Sequence, residues 1–402
     1  MALTWWPDTA VSGEFLAPSV IVSGDGSITQ APTVLAHHLG IATGCILIAA
    51  DDIVVANGMV SSLVSSLESA GFTVVLTAGF GSEPSSDVID GHIAQAREAQ
   101  AVAVIGVGGG SVLDSAKLIA LLLKNEGGSA DWLGPVNPLR GVAPLLLVPT
   151  TCGTGSEATR IAMLTVDGTK RASSCAKYIP NAVIIDPELV ASLPPTVIAS
   201  TGMDALAHAV ESLMSTAHSP MTAHHSFRAI ELLMGNIEAA FAGDRTALAQ
   251  CLWASHLAGQ ALNAGVAVGH SLAYCLAFEN PMPHGTSCAL ALSYCLAYNQ
   301  HLPKGLGEAL ARALTEGESS SLRIAAQAVM DLCIRLGLPT TLRDISIPVE
   351  AEQRMAARCV VEYPRPTNPV PLVEAHLQAL LGAMREGNLD AAFAVTANGI
   401  KG

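Results

Sequence analysis

The run AVAVIGVGGGSVLDSAK, residues 101–117, decides the fold. Its first five residues are apolar without interruption, as a strand covered on both faces requires. Gly108-Gly109-Gly110-Ser111 follows, and a helix is predicted to open near Val112. A glycine turn between strand and helix lets phosphate oxygens approach bare backbone N–H groups at the helix N-terminus. A tight turn without any ligand satisfies the same residues, and the motif is not GxGxxG. Its meaning therefore depends on the rest of the chain.

Working outward, residues 45–49, 73–76, 145–148 and 182–185 are further apolar runs of strand length. Amphipathic stretches lie between them, at residues 59–70 and 88–99. Strand alternating with helix means an α/β domain built on a mostly parallel sheet. From Pro194 onward the texture changes to Ala- and Leu-rich helices broken at Gly and Pro. Leu193-Pro194-Pro195 reads as a hinge, since neither proline continues a helix. Two domains are expected, residues 1–193 and 194–402.

Residues 149–157, PTTCGTGSE, form a second donor-rich loop after an apolar strand. Ligands of open α/β sheets bind at the carboxyl ends of strands, so two such loops support each other. Asp51 ends the 45–50 run. An acid there accepts from a ribose hydroxyl and repels a 2′-phosphate; it equally suits a helix N-cap. In the second half, Asp204 and His208 are four apart and share one helix face. His270 and His284 follow downstream. Three imidazoles and one carboxylate suit a divalent transition metal such as Fe²⁺ or Zn²⁺. Any one of these histidines alone reads as a satisfied core residue.

The chain has 402 residues, half of them hydrophobic and 13% charged, which excludes a disordered polymer. The net charge of −14 repels phosphate backbones, so no nucleic acid partner is expected. No apolar run approaches the ~20 residues of a membrane span. The N-terminal MALTWWPDTA has no basic or apolar leader region, so no signal peptide is read. Nine scattered cysteines without a CxxC pair indicate free thiols in a reducing compartment. The expectation is a soluble cytoplasmic protein.

Together these motifs resemble the iron-containing (group III) alcohol dehydrogenases, from Val20 to about Ala383. GGGSVLDSAK (108–117) matches the family's GGGSxxDxAK. PTTCGTGSE (149–157) matches PTTxGTGSE. Residues 186–211 match DPxLxxxLPPxxxxxTGMDALxHAxE nearly unbroken. The resemblance implies a Rossmann-like domain with a parallel sheet, followed by an all-helical domain, with NAD(P)H and one Fe²⁺, or Zn²⁺, meeting in the cleft between them. It implies Asp204, His208, His270 and His284 as metal ligands. It implies cofactor contacts at Asp51, Gly109, Gly110, Ser111, Asp114, Thr150, Thr151, Thr154, Thr159 and Lys170. NAD(H) is expected over NADP(H), on account of Asp51, and a homo-oligomer, a dimer, is expected.

Two departures matter. Where relatives such as lactaldehyde reductases carry a further His, four residues after the third ligand, this chain has Tyr274. That phenol is either the proton donor, which with a pKa near ~10 needs help from a metal or cation, or a packed aromatic. The family's PNP turn is Ser82-Glu83-Pro84 here. The segment YPRPTNPV, residues 363–370, looks like the phosphonoacetaldehyde reductases of phosphonate biosynthesis. A phosphonate needs a basic anchor, and Arg365 and Arg160 are the substrate-binding residues expected. An ordinary short-chain aldehyde or a sulfonated aldehyde fits the same scaffold. A dehydroquinate synthase-like lyase would share the fold and the cofactors, but its lysine-rich signature is not visible.

Overall fold

The computed structural model describes residues 14–397. The N-terminal decapeptide read as carrying no leader lies outside them. Two compact units divide the described residues, one spanning Leu16–Ser192 and the other taking Leu193 onward together with Glu14 and Phe15.

The first unit holds nine strands: β1 (Val20–Ser23), β2 (Cys45–Ala50), β3 (Thr73–Thr77), β4 (Ala101–Gly108), β5 (Gly134–Pro135), β6 (Leu145–Pro149), β7 (Ile161–Val166), β8 (Thr169–Ser174) and β9 (Ala182–Ile185). Six form one sheet in the order β1-β9-β6-β4-β2-β3, and every pairing in it is parallel. The uninterrupted apolar runs are explained by burial on both faces. Leu47, Ala49, Val104, Leu145 and Leu147 enter one core. Their strand neighbours Ile46, Ile48, Ala103, Ile105, Leu146 and Val148 enter the other. Alternate residues of a strand point to opposite faces, so each run feeds two cores at once.

The chain leaves β2 for β3 on one side and returns to β4 on the other. The switch point therefore lies at the carboxyl ends of β2 and β4, where ligands of such sheets bind. The strand at 20–23 and the β7–β8 hairpin went unread in the sequence. The hairpin turns on Asp167-Gly168, both with positive φ, 49° and 70°. Asp-Gly in that conformation matches the twist of paired strands.

The helix Gly110–Leu122 is buried from Val112 to Leu122, and it carries a lysine. Lys117 is fully buried, and its Nζ donates to Ser156 Oγ (2.8 Å), Thr159 Oγ1 (3.0 Å) and the Ile161 carbonyl (2.6 Å). Asp114 pairs with it at 3.3 Å and also accepts from Met163 N–H at 2.9 Å. Burial pulls the Lys117 ammonium below its ordinary range, and the adjacent Asp114 opposes that pull. This network pins the second donor-rich loop and β7 to the helix behind the glycine turn.

Among the described residues the regular elements of the second unit are all helices. The tandem prolines begin a helix. Pro194 occupies the extended N-cap position and Pro195 the first turn of Pro195–Met214, where the missing N–H has no partner to lose. Among the described residues no helix is long and apolar enough to cross a membrane. All nine cysteines are free thiols.

Asp114→Ala leaves a buried ammonium without its counter-charge. It is expected to lower the stability of the first unit by about 3–5 kcal/mol, read as a shift in its urea unfolding midpoint.

Candidate metal centre and cofactor loops

Helix Pro195–Met214 presents Asp204, His208 and Glu211 at positions i, i+4 and i+7, on one face. Helix Val268–Glu279 carries His270 and Tyr274. Helix His284–Tyr298 begins with His284 and carries Cys288 one turn later. Two glycines let these helices close up. A Cβ on Gly285 would run into the Ser200 backbone carbonyl, and one on Gly269 would come within 2.6 Å of Glu211 Oε1.

The four residues expected as ligands come together in space. Asp204 Oδ1 lies 3.8 Å from His208 Nε2, 4.0 Å from His270 Nε2 and 3.8 Å from His284 Nε2. That oxygen is sealed from solvent and accepts no hydrogen bond. Burial works against ionisation of Asp204, but the facing His208, His284 and His270 outweigh it and hold its carboxyl below the usual range. A buried carboxylate oxygen without a hydrogen-bond donor, ringed by imidazole nitrogens, fits a divalent cation. Asp204, His270, His284 and Cys288 offer donor atoms that all lie within 4.8 Å of one another.

Sequence reasoning missed Glu211 and Cys288. Glu211 Oε1 faces His270 Nδ1 at 2.6 Å, and its Oε2 accepts the backbone N–H groups of Ala267 (2.7 Å) and His270 (3.2 Å). The carboxylate fixes Nδ1 as the protonated nitrogen, so Nε2 offers its lone pair to an ion. Its position seven residues after Asp204 was the available signal. Cys288, four residues after His284, had the same kind of signal.

Tyr274 is stacked on His284, with centroids 5.2 Å apart and 14° between planes, and meets His270 edge-on. Arg365 Cζ sits 5.5 Å from the Tyr274 ring centre. Its Nε and Nη2 are shut off from solvent and donate no hydrogen bond. The proline-rich loop bearing it is tied to the His270 helix. Ser271 Oγ donates to the Tyr363 carbonyl (2.6 Å), and Asn368 Oδ1 accepts from Val268 N–H (2.9 Å). Arg160 belongs to the other unit, where its carbonyl accepts from Cys175 N–H.

In the first unit the glycine turn and the threonine-rich loop touch. A Cβ on Gly110 would lie 2.8 Å from Thr154 Cγ2, and one on Gly109 3.5 Å from Thr151 Cγ2. Asp51 is joined to them, with Oδ2 accepting from Gly109 N–H at 2.6 Å. Burial raises its carboxyl, and the Gly109 hydrogen bond partly offsets that. Asp51 occupies the helix N-cap position without making a capping hydrogen bond. Thr150 extends the β4 pairing through its N–H to the Gly108 carbonyl. Ser111 Oγ donates to the Ser82 carbonyl, and Lys170 pairs with Glu83 at 3.2 Å, so the Ser82-Glu83-Pro84 turn is bound to two of the expected cofactor residues. Asp114 and Thr159 direct their hydrogen bonds inward, to the Lys117 network.

Comparison with known proteins places this arrangement in a class. Residues 18–187 match the iron-containing alcohol dehydrogenase family model, and 198–384 match the Fe-containing alcohol dehydrogenase C-terminal model. The chain is 35% identical over 356 residues to long-chain-alcohol dehydrogenase 1 of Geobacillus thermodenitrificans, covering 86% of this chain and 90% of that one. The solved alcohol dehydrogenase from Oenococcus oeni superposes with a TM-score of 0.87 at 28% identity, covering 93% and 100% of the two chains. Sulfoacetaldehyde reductase from Bifidobacterium kashiwanohense, solved with NAD⁺, superposes at 0.83 with 26% identity, covering 93% and 99%. The protein is an NAD-linked alcohol–aldehyde oxidoreductase in class. It belongs to the iron-containing alcohol dehydrogenase family, which works with a divalent metal, usually iron.

Glu211→Gln keeps the side-chain volume and removes the charge that orients His270. Metal affinity is expected to fall about 10–100-fold, measured by Zn²⁺ titration against a competing chelator.

Proposed function

We propose that this enzyme reduces phosphonoacetaldehyde to 2-hydroxyethylphosphonate with NADH, in phosphonate natural-product biosynthesis. The observation that carries the reading is Arg365. Two of its nitrogens, Nε and Nη2, are dry and unpaired beside Tyr274, whose ring is stacked on His284. A guanidinium left in that state calls for an anionic partner, and a phosphonate accepts two parallel N–H bonds from it. The similarity to a sulfoacetaldehyde reductase supports a two-carbon aldehyde with an anionic tail, and keeps the sulfonate as the second reading.

The balance is aldehyde, NADH and one proton giving alcohol and NAD⁺. Bound Fe²⁺, or Zn²⁺, supplies Lewis acidity toward the carbonyl oxygen. Asp204, His208, His270 and His284 would hold it, with Glu211 setting the His270 tautomer. Arg365 would orient the substrate tail, with Arg160 as the second candidate. Tyr274 would bound the site against His284 and serve as the proton donor to the alcohol oxygen. The glycine and threonine loops would cradle the dinucleotide, and Asp51 would favour NADH by its charge.

The test is a kinetic comparison on the Fe²⁺-loaded enzyme. Arg365→Ala is expected to cost phosphonoacetaldehyde about 2–5 kcal/mol in kcat/KM and to leave propionaldehyde nearly unchanged. Unchanged phosphonoacetaldehyde kinetics in both Arg365→Ala and Arg160→Ala would remove the anchor. Faster wild-type turnover of sulfoacetaldehyde or propionaldehyde would reassign the substrate. Turnover without net NADH consumption would indicate a lyase.

Asp51→Asn retains an acceptor for Gly109 N–H and removes the negative charge. The ratio of kcat/KM for NADPH to that for NADH is expected to rise at least about tenfold, since one lost charge repulsion of ~1.4 kcal/mol is a decade.

A further inference from the structure

Cys288 stands inside the ring of metal-site donors. Its Sγ is 3.5 Å from His284 Nε2 and 3.8 Å from His270 Nε2. These atoms and an Asp204 carboxylate oxygen all fall within 4.8 Å of one another. Nitrogen and sulfur ligands at about 2.1 and 2.3 Å from one ion, set at a tetrahedral angle, stand roughly 3.5 Å apart. The two sulfur–nitrogen separations are therefore compatible with atoms sharing an ion.

Local structure holds the thiol there. His284 and Cys288 are i and i+4 on the first turns of one helix and face the same way. Cys288 is buried, at 1% exposure, so it has one environment. Glu211 engages His270 Nδ1, which leaves Nε2 as the nitrogen facing the sulfur.

We propose that Cys288 is a ligand of the same metal ion, bound as a thiolate after its proton leaves to solvent. The inference rests on the metal-site reading above and extends its donor set from oxygen and nitrogen to sulfur. A soft thiolate moves the selectivity of the site from Fe²⁺ toward Zn²⁺ and Co²⁺. It also adds negative charge to the ion, which lowers the net positive charge met by an anionic substrate and makes Arg365 more necessary.

The experiment loads the full-length protein with Co²⁺ alone and records bound metal and absorbance. The wild type is expected to bind one equivalent and to show an intense near-ultraviolet sulfur-to-cobalt charge-transfer band. Cys288→Ser is expected to lose the band while keeping the visible cobalt bands, and to bind Zn²⁺ about tenfold or more weakly, by the scale of lost metal-site support. Cys45→Ser, a half-buried thiol of the other unit, should leave the spectrum unchanged. Cys288→Ala provides the same comparison if the serine variant does not fold. Stoichiometric Co²⁺ without the band in wild type, or a band that survives in a Cys288 variant, overturns the proposal and leaves the metal centre standing. Failure of the wild type to bind Co²⁺ overturns both.

Discussion

A carboxylate oxygen without a hydrogen-bond donor, buried among three imidazoles, is the constraint on which the second unit is organised. Asp204 Oδ1 has given up water and gained no N–H or O–H in exchange. Leaving such an atom unsatisfied is costly, and leaving it charged is costlier. The three imidazole nitrogens face it at 3.8–4.0 Å, beyond hydrogen-bond reach. A divalent ion would satisfy the oxygen and the imidazole lone pairs together, and the donor set is suited to one.

Glu211 transmits that requirement into the backbone. One carboxylate holds the His270 ring and two N–H groups at the start of its helix. Gly269 has no side chain because Glu211 fills the space a Cβ would need. The same helix start is tied from its other side by Asn368 through Val268 N–H. The position of the His270 nitrogen and the path of the proline-rich loop are therefore set by one short segment, residues 267–271. A change in that segment moves His270 and the loop bearing Arg365 together.

Much of this was legible in the sequence, and the reason differs from part to part. The parallel sheet was readable because strands buried on both faces cannot alternate in polarity. The strand at 20–23 was not, because it lies at the sheet edge and its residues alternate between half-buried and exposed. The hairpin at 161–174 hid because β8, TKRASS, is polar, and only its Asp-Gly turn announced it. Asp204 and His208 stood out by helical spacing, while His270 and His284, 14 residues apart, joined them through the family resemblance. Glu211 and Cys288 were passed over because a glutamate on a helix usually faces water and a cysteine usually packs as a small apolar residue. Lys117 was visible only as part of a motif, since nothing in its spacing shows that its ammonium is wholly buried.

The charge of the whole chain and the charge of the site point in opposite directions. A net −14 disfavours an anionic substrate at long range. Screening at physiological salt limits that repulsion to about 8 Å from each exposed charge. Inside the site the balance is decided by groups in contact. Arg365 carries a guanidinium whose Nε and Nη2 donate no hydrogen bond, and its Cζ lies over the Tyr274 ring. On the proposed reading, the acidic surface would act as a filter. Anions without a carbonyl would gain nothing from a metal held by Asp204 and the three histidines, and aldehydes without an anionic tail would gain nothing from Arg365. Only a short molecule carrying both groups would collect both interactions and so offset the unfavourable field it crosses to arrive.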